Sequence, residues 1–187
     1  MFSLHSLKNL GVYGDGGVIT TNDEGLAERL RLLRNHGLQS RDHCMLWGYN
    51  SRLDSIQAAF ALVKLQYLDA WNERCRSISL KYQLALKDYT NVPCDNPWEE
   101  NVYHNFIITT PSRDQLKAHL EEAGIGTAIH YPIPIHLQPA SRKLGYALGS
   151  FPITERLAET MLSLPIYPEL QDSEIDNIIY EIRKFIG

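Results

Sequence analysis

The chain has 187 residues, 44% of them hydrophobic and 21% charged, a balance that suits one or two packed globular domains. Its formal net charge of −4, from 18 Lys and Arg against 22 Asp and Glu, gives no basis for binding nucleic acid or an anionic membrane surface. No uncharged apolar run reaches bilayer-spanning length, and no charged-then-apolar signal pattern opens the sequence. Cys44, Cys75 and Cys94 are far apart and form no Cys-x-x-Cys, so neither a metal site nor a disulfide framework is expected and a reducing cytoplasm fits.

Residues 1–21 read as strand, loop, strand. The run Ser3-Leu4-His5-Ser6-Leu7-Lys8-Asn9-Leu10-Gly11 enters a glycine-dense stretch, Gly14-Asp15-Gly16-Gly17, and leaves it as Val18-Ile19-Thr20-Thr21. Most lysines are solvated surface charges. Lys8, however, lies between two apolar segments in a loop whose glycines allow close backbone approach, with the Ser3 hydroxyl five residues upstream to serve a phosphate. That setting suits a Schiff-base lysine, whose amine must be partly neutral to attack a carbonyl. Gly11-Val12-Tyr13-Gly14-Asp15-Gly16 is not a dinucleotide fingerprint, because its spacing is reversed and a strand follows it; nor is it a Walker loop, which needs Gly-Lys-Ser/Thr. On the residues alone, a plain turn between two strands and a lysine serving a phosphate-bearing aldehyde cofactor both stay open.

Asn22 is expected to cap a helix with Asp23 and Glu24 in its first turn and Leu26, Leu30 and Leu33 on one face. Residues 37–48 lack periodicity and read as a loop. Asp54 starts a long helix, with Ile56, Ala59, Phe60, Val63 and Tyr67 along one side, continuing with a bend near Asn72 to about Tyr89. Pro93 and Pro97 mark a boundary, giving domains 1–92 and 93–187. In the second domain, Tyr103 to Thr110 is β-rich. Ser112 and Gln115 form a capping box for a helix ending at Gly124, and Gly126 to His130 reads as a short strand. Thr154 to Ser163 is expected to be helical, and Asp172 or Ser173 to cap a last helix with Ile175, Ile178, Ile179, Ile182 and Ile186 on one face. The fold class is α/β. Two strands and two helices cannot cover a parallel sheet's two faces, so the long helix is expected to rest on chain outside this sequence or on a partner subunit.

Five segments resemble, in order, the DegT/DnrJ/StrS family of sugar-nucleotide aminotransferases. They are the Lys8 run with its Gly-Asp-Gly-Gly, Leu32-Leu33-Arg34-Asn35-His36-Gly37, the stretch from Gly48-Tyr49-Asn50-Ser51-Arg52 through Gln57-Ala58-Ala59, Ile129-His130-Tyr131-Pro132-Ile133-Pro134-Ile135-His136-Leu137-Gln138, and Leu162-Ser163-Leu164-Pro165. The resemblance covers nearly the whole chain. It implies a partial fold-type I pyridoxal-phosphate transferase: the end of the large domain, then a small C-terminal α/β domain. It also implies that the aspartate facing the pyridine nitrogen and the ring-stacking aromatic precede the matched region, so the chain is expected to be a fragment, a truncated frame or one piece of a split protein.

By the same resemblance, Lys8 is the catalytic lysine that binds pyridoxal 5'-phosphate and then acts as general base. Ser3 donates to the cofactor phosphate, against the alternative of a strand-end serine satisfied by backbone. Asn50 reaches the same phosphate from the neighbouring subunit, which implies a homodimer with composite sites; read alone, it is a turn former. Arg52 is a candidate for a substrate carboxylate or phosphate, with an ordinary surface ion pair as alternative. His130, Tyr131 and His136 lie near the bound sugar nucleotide in a segment that Pro132 and Pro134 hold extended. No carboxylate or thiol joins the two histidines at ligand spacing, so no metal is expected. The implied activity moves an amino group from glutamate to a nucleotide-linked ketosugar, with the Lys-Asn-Leu-Gly and Gly-Asp-Gly-Gly forms nearer to members acting at C3 than at C4 of the hexose. A family dehydratase would carry histidine in place of Lys8. The remaining alternative is a catalytically incompetent fragment serving as a dimerisation or regulatory module.

Overall fold

The computed structural model describes residues 1–187, which divide into two compact units, Met1–Ala70 and Trp71–Gly187. In the first unit, β1 (Phe2–Ser3) and β2 (Gly17–Val18) pair antiparallel, Phe2 opposite Val18 and Ser3 opposite Gly17. The expected strands are thus only two residues long each, and the segment between them closes through Leu4 N–H to Gly16 O (2.8 Å) and Val12 N–H to Leu4 O (2.9 Å). Leu4 and Val12 are the buried anchors of this loop.

Helix α1 (Glu24–Leu33) is capped by Asp23, not Asn22: the Asp23 carboxylate accepts the Leu26 N–H at 3.0 Å. The side chain that reaches the third residue onward wins, and Asn22 falls one position outside. Residues 37–48 are more ordered than a loop, because β3 (Leu38–Ser40) and β4 (His43–Cys44) form an irregular antiparallel hairpin. The long helix is two helices, α2 (Ser55–Leu65) and α3 (Leu68–Leu86), parted at Gln66–Tyr67 rather than bent at Asn72. No residue of α2 is buried, and Ile56, Val63 and Tyr67 of its expected apolar side are exposed.

The second unit holds the main core. Helix α3 buries Cys75, Ile78, Ser79, Tyr82 and Leu86, a helical stripe that belongs with this unit. That packing places α3 in the second unit, which begins at Trp71 and includes Pro93 and Pro97. Strand β5 (Phe106–Thr109) pairs antiparallel with β6 (Met161–Leu164), Phe106 opposite Leu164 and Ile108 opposite Leu162. Single bridges extend this ribbon on both sides, Asn91 to Thr109 and Ala128 to Ser163, so residues 126–130 supply one bridge and not a strand.

Helix α4 (Arg113–Glu122) starts after Ser112 without a side-chain cap bond, α5 (Pro152–Thr160) ends where β6 begins, and α6 (Asp172–Ile186) closes the chain. Met161 to Ser163, expected to be helical, is therefore part of a strand that runs to Leu164. Leu162 and Leu164 are buried in the core formed with Phe106, Ile108, Leu116 and Leu120, and strand pairing satisfies their backbone. Helix α6 buries Ile175, Ile178, Ile179 and Ile182, as its periodicity predicts. Its cap is Gln171, one residue ahead of the expected pair, in a capping box with Glu174.

Candidate active site

Lys8 is exposed in the loop between β1 and β2, one turn after the buried Leu4. Its N–H donates to His5 O at 2.8 Å, so residues 5–8 form a tight turn. Gly11 lies against that turn: a Cβ there would stand 2.4 Å from Ser6 O, a distance no side chain tolerates. The close approach is why glycine ends the Lys8 run. Ser3 pairs with Gly17, and its hydroxyl oxygen accepts the His5 N–H at 3.3 Å, leaving the hydroxyl proton to donate elsewhere.

Asn50 sits in a backbone clasp built from the second and third matched segments. Asn35 and Asn50 form an antiparallel bridge, His36 N–H donates to Tyr49 O (2.8 Å), and Ser51 N–H donates to Arg34 O (2.9 Å). Arg52 donates from Nε to Asn50 Oδ1 at 3.0 Å, which turns the amide NH₂ of Asn50 into its available donor. Both side chains are exposed. The first unit thus brings Ser3 and Lys8 onto one ribbon and Asn50 and Arg52 onto one clasp.

His130, Tyr131 and His136 belong to the second unit. His130 Nδ1 is 2.8 Å from Ser163 Oγ, and Tyr131 is 72% exposed. The backbone at His136 is not extended as expected. This residue lies in a short 3₁₀ turn, Ile135–Leu137, is 8% exposed, and sets Nε2 2.8 Å from Glu155 Oε1, with its ring edge-on to Phe151. Glu155 also accepts the N–H groups of Gly149 and Phe151. Its partial burial works to raise the carboxyl pKa, but the hydrogen bonds from Gly149, His136 and Phe151 outweigh that and hold it below the usual carboxylate value. A carboxyl with a depressed folded-state pKa contributes stability above its unfolded-state pKa and loses it as pH falls through the folded value. The stability gap between wild type and Glu155→Gln is accordingly expected to be constant near neutrality and to shrink below about pH 4. Denaturant unfolding at stepped pH checks this, and a gap that widens on acidification refutes it.

The segment Gly11–Tyr13, just after Lys8, is held by α2. Gln57 accepts the Tyr13 N–H on Oε1 and donates from Nε2 to Tyr13 O, both at 2.9 Å. Lys64 Nζ donates to Gly11 O at 2.7 Å and lies 4.6 Å above the Tyr13 ring, which packs edge-on against Phe60 at 4.7 Å. Sequence reading assigns no role to Gln57 or Lys64; the available signal is two long polar side chains seven apart on an α2 whose only other polar residue is Ser55. The large open cavity of the second unit, about 680 Å³ and bordered by Cys94, Asp95, Tyr103 and His104, contains none of the expected site residues. No three His, Cys, Asp or Glu side chains gather at metal-binding spacing, and no helix is long and apolar enough to cross a membrane.

The DegT/DnrJ/EryC1/StrS aminotransferase family model matches residues 1–183. The chain belongs to that family. The erythromycin biosynthesis sensory transduction protein EryC1 of Saccharopolyspora erythraea is 45% identical over 184 residues, which cover 97% of this chain and 50% of that protein. The dTDP-3-amino-3,4,6-trideoxy-alpha-D-glucose transaminase of Streptomyces venezuelae is 40% identical over 98% of this chain and 49% of its own length. Among solved structures, S. venezuelae DesV in complex with a ketimine intermediate superposes with a TM-score of 0.97 at 40% identity, over 100% of this chain and 51% of that one. The α/β fold of this family member is therefore that of one half of an aminotransferase chain, and the chain spans about half the length of the curated relatives it matches.

Proposed function

We propose that this chain carries the lysine-bearing part of a pyridoxal-phosphate aminotransferase that moves an amino group from glutamate to a nucleotide-linked 3-ketohexose. The observation that carries the reading is Lys8 in a glycine-bounded loop within a family match spanning residues 1–183. The name of the S. venezuelae transaminase, with its 3-amino sugar, supports the choice of C3.

The donor set fits the cofactor's chemistry: a primary amine for its aldehyde, a hydroxyl with a free proton and an uncharged amide for its phosphate. When bound, pyridoxal phosphate supplies the electron sink for amino transfer. Lys8 Nζ would hold the cofactor at its aldehyde and would carry the substrate Cα proton as general base. Ser3 Oγ–H donates to the phosphate. Asn50, with Oδ1 already bonded to Arg52, presents its NH₂ to the phosphate in the site of a second copy, so the working form is a cytoplasmic homodimer with composite sites. Arg52, in the first unit, is assigned to an anionic group of the substrate; His130 and Tyr131, in the second unit, are assigned to the sugar nucleotide. His136, with Nε2 held by Glu155, is assigned to the same sugar-nucleotide part.

A second reading, a regulatory module without amino transfer, is favoured by the sensory name of the S. erythraea relative. Incubating the full-length protein with pyridoxal phosphate, glutamate and a dTDP-3-ketohexose separates the two. Glutamate-dependent 3-amino sugar is expected, and an inert holoprotein with intact cofactor binding would favour the regulatory reading.

A further inference from the structure

Beyond the Val12 to Leu4 hydrogen bond, the exit of the lysine loop is held by α2. Gln57, Phe60 and Lys64 fall at i, i+3 and i+7, on one face of the helix. Gln57 pairs with both backbone groups of Tyr13, as a neighbouring strand would, in a region where β2 is too short to do so. Lys64 holds the Gly11 carbonyl, and Gly11 is the residue pressed against Ser6 O, two positions before Lys8. Phe60 and the Lys64 ammonium pack around the Tyr13 ring from two directions. Every one of these contacts lands within five residues of Lys8, and none is made by Lys8 itself.

We infer that Gln57 and Lys64 are positioning residues for Lys8: through the Tyr13 and Gly11 backbone they hold the lysine loop in the geometry that presents Nζ to the cofactor aldehyde. This rests on the reading of Lys8 given above. A rigid loop matters because a displacement of about 1 Å at a reacting group is enough to cost roughly 10²-fold in rate.

The test uses the full-length protein in four forms: wild type, Gln57→Leu, Lys64→Met and Lys64→Arg. Two measurements are made on each. The first, without cofactor, is hydrogen exchange at the Lys8, Val12 and Tyr13 amides, with the α6 amides as internal reference. The second is the rate at which pyridoxal phosphate becomes attached to Lys8, followed by borohydride reduction and peptide mapping. Gln57→Leu and Lys64→Met are expected to speed exchange at the loop amides alone and to slow attachment by about 10- to 100-fold. Lys64→Arg, which keeps a cationic donor, is expected to restore most of both.

Equal attachment rates in all four forms overturn the inference, as does exchange that rises equally in α6, which marks a general loss of stability. Should Gln57→Leu fail to fold, the contrast between Lys64→Met and Lys64→Arg decides alone. Absence of label at Lys8 in the wild type is a different result, and overturns the assignment of Lys8 itself.

Discussion

Lys8→Ala is expected to leave a folded protein that neither takes up pyridoxal phosphate as a visible chromophore nor transfers an amino group, with activity down by at least about 10²–10⁴-fold, the scale of a lost general base. The side chain is exposed at the end of a loop whose anchors are Leu4 and Val12, so its removal takes nothing from the core. Lys8→Arg should fare no better, since a guanidinium stays protonated at all working pH values and cannot attack a carbonyl. Absorbance spectra and amino-transfer rates on the full-length protein check both variants, with thermal unfolding as the control for folding. Wild-type activity in either one removes Lys8 from the chemistry.

Gly37→Ala is expected to cost about 3 kcal/mol or more, by combining a left-handed backbone position with a direct clash. Gly37 has φ of +72°, and a Cβ there would lie 1.6 Å from the Leu46 carbonyl oxygen. The neighbouring backbone is the one that cannot move cheaply. Gly37 N–H bonds to Leu32 O, Met45 N–H bonds to Gly37 O, and the same turn bridges to Tyr49 and Asn50. Strain there displaces Asn50, so weaker cofactor retention should accompany the lost stability. Gly126→Ala is the matched control: nothing stands within 4 Å of its Cβ position, and a near-neutral effect is expected. Denaturant unfolding of the two variants side by side tests the argument, and equal stabilities would refute it.

The parts of this protein that sequence reveals are those settled by local periodicity or by a dense motif. Helix α6 was readable because five isoleucines repeat at helical spacing, and the burial of four of them follows from that spacing alone. The Lys8 loop was readable because its glycines and flanking apolar runs lie within a short stretch of chain. The turn at Asn35–Gly37 and the segment at Asn50 were each recognisable, but not the bridge between them.

What escaped depends on partners distant in sequence. Met161–Leu164 follows a helix and carries no pattern that separates strand from helix over four residues; its state is set by β5, more than fifty residues upstream. The contact of His136 with Glu155 joins side chains nineteen residues apart and is invisible in the local sequence. The inclusion of α3 in the second compact unit depends on a stripe buried in a core built by later elements. Local order and family membership were therefore determined by the sequence itself, through backbone propensity and motif spacing. The clasp of α2 on the lysine loop, the strand at 161–164 and the occupation of His136 were decided by tertiary structure, since hydrogen-bond partners and burial exist only once separated segments meet.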